Sequence, residues 1–493
     1  MQKKFVTNLA LLLSMNLLIK PFFVIFIDRS VQKAVGTEDF GAYFALFNFT
    51  FLMNIVLDFG ITNFNNKNIA QNNHLLTKHF SSLFVLKLLL ALIYILITLT
   101  FGYFVGYDFR YIKLVLILGF NQFLISLIMY LRSNIAGLHF FKTDSIVSIL
   151  DRTILIGLCI VLLWGNLPWT KNSSGRLDVL WYVYAQTISY FITACIAFII
   201  VVGKAETLKL KFSFPFSLMI LKKSFPFAVL VLLMTFYNRI DSVMLERMLP
   251  NGDEQSGIYA QGYRLLDATN MIAFLFAGLL LPIFSRMLKY KESVEQLVKL
   301  SFTLLITPAI VIAAGCFFYK HELMELLYLD KKDVAGSMAH IKQSAPVFAL
   351  LMSCFIAIST TYVFGTLLTA NGNMKELNIM AASGMVFNIV MNLILIPRYS
   401  ALGSAVASLI TQFSTALVQV LIVQYNFKFR INYRLLFTLC LFAVGVIVIN
   451  YFSKMLSSQF LVNFSLMVAA SILWAFLIRL ISIKSMLRIL KYG

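Results

Sequence analysis

The chain predicts an all-α polytopic membrane protein of about fourteen transmembrane helices. They are arranged as two six-helix lobes, related as a parallel pseudo-repeat, plus two C-terminal helices. Three observations predict this. Of 493 residues, 60% are hydrophobic and only 13% are charged, with a mean hydropathy of +0.86; soluble domains hold about half apolar and about 25% charged residues. The apolar stretches run to helix length and do not alternate in short strands, which favours a helical bundle over an outer-membrane barrel. Local patterns in the first half also return in the second at a constant offset.

The spans fall near residues 5–27, 39–60, 80–103, 111–134, 145–165, 179–202, 224–249, 256–285, 294–318, 343–370, 377–397, 400–425, 432–452 and 460–481. They group as an N-terminal lobe (1–203), a linker (204–223), a C-terminal lobe (224–425) and a final pair with a basic tail (426–493). Lys3 and Lys4 before an apolar run resemble a signal peptide. Asn16, Lys20 and Pro21 interrupt that run and no small-residue cleavage site follows, so it reads as an uncleaved first helix.

The net charge of +20 would suggest nucleic acid in a soluble protein. Here the basic residues sit mainly in short loops, in excess on the side of the termini, which places both termini in the cytoplasm. Lys222 with Lys223, Arg286 with Lys289 and Lys291, Lys428 with Arg430 and Arg434, and Arg479, Lys484, Arg488 and Lys491 carry that signal. They read as topology determinants touching anionic lipid, and nucleic acid drops out as a partner. Cys159, Cys195, Cys316, Cys354 and Cys440 lie in apolar segments and imply no disulfide framework. The longest extracytoplasmic loop, 319–342, suits an interfacial amphipathic helix. Asn172-Ser173-Ser174 matches a glycosylation acceptor by chance, and no function is attached to it.

The repeat appears where Gly41-Ala42-Tyr43 opens the second span and Gly257-Ile258-Tyr259 opens the eighth. Asn54 and Asn270 follow at the same distance, and Lys20 and Arg239 lie on the preceding spans. An even number of spans separates the copies, so the repeats are parallel, a plan that transporters use with substrate between the halves.

The layout of six, six and two helices resembles the polysaccharide-transport flippases of the MOP exporter superfamily. The patterns behind this are Glu38-Asp39-Phe40-Gly41-Ala42-Tyr43, Asp58-Phe59-Gly60, Gly257-Ile258-Tyr259, Leu367 to Gly372, and Asn392 to Pro397 running on through Gly403-Ser404-Ala405. The resemblance spans essentially the whole chain. It implies a non-enzymatic flippase of the bacterial cytoplasmic membrane, moving lipid-linked oligosaccharide to the outer leaflet by alternating access. The usual carrier lipid is undecaprenyl pyrophosphate, and the partners are membrane lipids, a polysaccharide polymerase and glycosyltransferases. No cofactor is implied; a proton or sodium gradient or the membrane potential would drive export.

Three sets of residues could carry that chemistry. A charge at the bilayer centre costs roughly 2.5–3.5 kcal/mol, so it faces a partner or a polar cavity. Lys20, Arg239 and Arg264 lie centrally in spans one, seven and eight and suit a pyrophosphate, with Asn16 one turn from Lys20. Ion pairs locking helices together are the alternative for Arg239 with Asp241 and for Arg264 with Asp267. Lys87 in span three reads as snorkelling. Asp58, Asp151, Asp241 and Asp267 are candidates for ion coupling or structural pairing; Asp267 can touch Arg264, whereas Asp241 must find its partner on another helix. Thr50, Asn54 and Asp58 form one stripe. The third set, Ser359-Thr360-Thr361, Asn378, Asn388 and Asn392, suits hydrogen bonds between helices, or sugar contact.

Two rival functions remain. An ion-coupled drug exporter would need an acidic cavity for cationic drugs, against three intramembrane cations here. A membrane-integral glycan polymerase or ligase would need a larger extracytoplasmic loop.

Overall fold

The computed structural model describes residues 15–16, 18–62, 65, 69, 75–138, 140–165, 167–173, 175–204, 213–330, 334–430, 432–457 and 459–480. Among these residues the chain is helical, with no strand beyond an isolated bridge between Lys171 and Leu177. A bilayer permits little else, because a lipid-facing backbone must satisfy its own hydrogen bonds. Among the described residues, eleven helices are long and apolar enough to cross a membrane. The difference from fourteen is local. About half of the first span lies outside the described residues, the second is broken, and the eleventh and twelfth run together.

Contacts divide the chain into two units, Met1–Gly257 and Ile258–Gly493. The seventh span is thereby grouped with the first six.

In the first unit, residues 18–22 are helical and a π-helical stretch, Phe23–Asp28, leads into α1 (Arg29–Val35). The departure follows Pro21, whose ring removes an amide donor from the ladder. The second span is α2 (Thr37–Leu52) and α3 (Ile55–Asp58), separated at Met53–Asn54. Phe59 in the left-handed region (φ 43°) and Gly60 (φ 79°) then stop the helix. Next come α4 (Leu75–Val105), α5 (Phe109–Gly137), α6 (Phe141–Trp164), α7 (Val179–Val202) and α8 (Phe214–Met248). Leu83, Leu86, Leu90, Tyr130, Leu131 and Ala197 join α4, α5 and α7 in one core. Tyr103, Phe104, Trp164 and Trp169 stay exposed at helix ends, where amphipathic rings suit a membrane–water boundary.

The turn from α8 into α9 (Gly252–Lys289) packs on the start of α2. A methyl group at Gly41 would collide with the backbone of Asp253, and one at Gly257 with the backbone of Thr37. Ser256 Oγ donates to the Gly41 carbonyl at 3.1 Å. Glycine permits this backbone-to-backbone approach. Nearby, Arg247 lies over Tyr107 at 3.8 Å and donates to the Gly106 carbonyl, while Tyr107 donates to Glu246, so the α4–α5 turn is tied to the end of α8.

The second unit holds the rest of α9, then α10 (Glu295–Phe318), α11 (Lys320–Tyr328), α12 (Val334–Asn371), α13 (Met374–Phe427), α14 (Tyr433–Ser453) and α15 (Phe460–Leu477). Gly262 brings α9 close to α12, with a methyl there only 3.0 Å from Phe348 Cα. Within α13, Ser400 leaves helical geometry (φ 53°) just after Pro397. A methyl at Gly403 would sit 2.6 Å from the Leu395 carbonyl carbon. Gln419 reaches Met380. Such contacts are impossible along one straight helix, so α13 is a hairpin holding spans eleven and twelve. The helix expected in the 319–342 loop forms as α11, burying Met324 and Tyr328 and leaving Leu326 exposed. Lys454 pairs with Glu322 at 2.9 Å and Tyr319 with Ser453 at 2.6 Å, fixing α11 to the end of α14. Phe442, Val446 and Ala475 pack α14 and α15 on α10.

The repeated tyrosines behave alike in each unit. Tyr43 is buried and accepts from Gln186 on the sixth span at 2.8 Å. Tyr259 is buried and bonds Ser408 on the twelfth at 3.1 Å.

Candidate functional site

Lys20 sits on the first helix, one turn from Asn16. Asn16 is buried and donates to Ser148 Oγ of α6 at 2.9 Å, so the two helices are laced at that level. The charged groups acting on Lys20 are Asp151, Arg152, Arg132 and Asp144. Arg132 of α5 grips Asp144 of α6 with two hydrogen bonds of 2.7 and 3.1 Å, a fork-to-carboxylate geometry that orders both side chains. Arg152 lies 3.6 Å from Asp151 and rests over the rings of Phe23 and Tyr190 at 5.2 and 5.8 Å. Stacking on two rings holds a guanidinium in place.

The result is a cluster of three cations and two acids on the first, fourth and fifth spans. Sequence reasoning singled out Lys20 and Asp151 in separate sets, as a substrate cation and a coupling or pairing acid, and passed over Arg132, Arg152 and Asp144. The signal was present, since Asp151-Arg152 interrupts an otherwise apolar run. Chemically, such a cluster can hold an anion, because the acids pre-orient the cations.

A second centre lies at the end of α3. Lys87 of α4, expected to snorkel, is instead 1% exposed. Its ammonium donates to Asp58, to the Leu57 carbonyl at 2.9 Å and to Ser126 Oγ of α5 at 2.9 Å. Thr62 Oγ1 donates to the same carboxylate at 2.5 Å. The sequence could not show this pairing, because the partners lie on different spans. The remaining residues of the stripe are engaged too. Tyr94 donates to the Thr50 carbonyl at 2.9 Å, and Asn54 to Gln122 at 2.8 Å. Farther along, Asn65 donates to Ser133 and Asn134.

Arg239 and Asp241 point differently, as their spacing requires. Arg239 is half-buried over Phe51 at 5.3 Å, whereas Asp241 is buried. The adjacent Ser242 accepts from Asn48 of α2 at 2.7 Å, which seats this face of α8 against α2. Arg264 and Asp267 are both half-buried on α9 in the second unit. There Asn392 donates to Asn388 one turn away, both fully buried, and Thr360 bonds back to Ile356. Among the described residues no cluster of His, Cys, Asp and Glu could hold a metal ion.

Comparisons with known proteins agree with this layout. A family model described as polysaccharide biosynthesis protein matches residues 5–288, more than half of the chain. No curated protein matches. Among solved structures, the chain is similar to a lipid II flippase MurJ in an inward closed conformation (13% identity, 96% of this chain and 98% of that one, TM-score 0.66). It is also similar to a MATE transporter in complex with MaL6 (13%, 85% and 95%, TM-score 0.60). A MOP superfamily transporter from Pyrococcus furiosus, with a binding pocket of reverse polarity, matches as well (14%, 86% and 95%, TM-score 0.56). At these identities the structures speak for the fold. With the family match covering the first eight expected spans and the fold extending through the last, the chain belongs to the polysaccharide biosynthesis protein family and shares the fold of the MurJ and MATE structures.

Proposed function

We propose that this protein is a flippase that exports a lipid-linked oligosaccharide across the bacterial cytoplasmic membrane by alternating access, with both termini in the cytoplasm. The observation that carries this reading is the cluster of Lys20, Arg132 and Arg152 within the membrane-embedded first unit. A pyrophosphate must lose water to cross, and cations ordered in advance offset that loss. In the proposed orientation the cluster lies in the cytoplasmic half, where a carrier lipid of the inner leaflet would arrive. Glycosyltransferases would supply the substrate and a polymerase would consume it.

Lys20→Ala is expected to remove one charge-assisted contact, worth about 1.5–3 kcal/mol, or roughly a tenfold to hundredfold loss of affinity. The measurement is surface glycan in a deletion strain, normalised to inserted protein. Lys20→Arg should keep part of the activity. Lys20→Ala with Asp151→Asn should insert normally yet stay inactive. Wild-type glycan from that double variant would reduce Lys20 to a structural partner of Asp151.

The orientation has its own test. Lys222→Cys and Lys291→Cys, in a cysteine-free background, are expected to react with an impermeant maleimide only from the cytoplasmic side. Labelling of either from outside would invert the topology.

A further inference from the structure

The Lys87 ammonium occupies a cage of oxygens of three kinds: a carboxylate, a backbone carbonyl freed by a helix end, and a hydroxyl. Broken helices in transporters present this donor set to monovalent cations, since the carbonyls of an unwound end have no amide partner. Here the break is explicit. Helix α3 ends at Asp58, and Phe59 and Gly60 turn the chain away in left-handed geometry. The Leu57 carbonyl, released by that turn, accepts from Lys87 and from Ser126 Oγ at 3.2 Å.

We propose that this cage is a monovalent-cation site whose ion has been replaced by a tethered one, the ammonium of Lys87. An ammonium has three donors and all three are used, so its coordination is complete without water. It is close in size to a potassium ion, so the 2.9 Å separations to the Leu57 carbonyl and Ser126 Oγ suit potassium, and sodium after a small contraction. Asp58 supplies the compensating charge and is itself 26% exposed, which gives a free ion a route in once the lysine is shortened. The tether fixes the consequence: this cation cannot leave with substrate or exchange with either side, so the site holds span two together without consuming an ion gradient.

Lys87→Ala empties the cage while leaving its oxygens. The thermal midpoint of purified Lys87→Ala protein is expected to rise when choline chloride is replaced by potassium or sodium chloride at equal ionic strength. Wild type, with the cage filled, should show no such difference, and Lys87→Ala with Asp58→Asn should lose it. A Lys87→Ala midpoint indifferent to potassium, sodium and lithium would overturn the proposal. So would a Lys87→Ala protein that fails to insert in potassium and sodium media while the Asp58→Asn double variant inserts. That result would show that the stranded carboxylate is not neutralised by an arriving ion.

Discussion

Asp58→Leu is expected to cost about 3–5 kcal/mol of stability, because it strands a buried ammonium whose carboxylate is gone. Lys87 is 1% exposed, so water cannot replace the lost partner, and its stem is held among α3, α4 and α5. No added salt can help, since the missing group is an anion on the protein. This separates Asp58→Leu from Lys87→Ala, where an added cation can enter. Removing both charges, as Asp58→Leu with Lys87→Met, should recover most of the loss, because a buried pair replaced by apolar groups is often neutral. Thermal midpoints of the purified variants decide it. If the single variant melts with wild type, the Lys87 ammonium is not buried as described.

Gly41→Val should prevent accumulation of folded protein. The atoms in the way are the backbone of Asp253 and Gly257, so no rotamer change makes room, and the start of α2 must part from the α8–α9 turn. Even Gly41→Ala should cost about 1–3 kcal/mol, the range for overpacking. Gly257→Ala should cost a similar amount, since its methyl meets the Thr37 backbone in the same manner. Size-exclusion profiles and melting midpoints are the readouts. By contrast Gly278→Ala, on the same helix as Gly257, meets nothing within 4 Å and serves as the tolerant control. Equal behaviour of Gly41→Ala and Gly278→Ala would refute the close approach.

Much of the fold was legible because the bilayer enforces a simple code. Apolar runs of fixed length become helices, and the expected spans from the third onward fall on α4 to α10 and α12 to α15, although α8 and α12 begin well before spans seven and ten. The punctuation was legible as well. Pro21 precedes the π-helical stretch, Asp58-Phe59-Gly60 ends span two, and Pro397 marks the hairpin of α13. What sequence could not supply was pairing between helices. A lone Lys87 in an apolar run reads as a snorkelling side chain, and only the packing of α4 on α3 shows the carboxylate beside it. Arg132 was missed because it falls at a helix end, where basic residues usually mark topology. Its bidentate grip on Asp144 requires the α5–α6 turn to bring the two together.

The glycine crossing of α2 on the α8–α9 turn has one more property. Gly41 meets Asp253 and Gly257 meets Thr37, and the offset that carries Gly41 to Gly257 also carries Thr37 to Asp253. Each partner therefore makes the contact that the other receives, the reciprocity that defines an isologous interface between identical subunits. The crossing therefore carries a local two-fold relation within one chain. A side chain added at either glycine presses on the segment that stands before the other, so the two substitutions strain one and the same crossing from opposite sides.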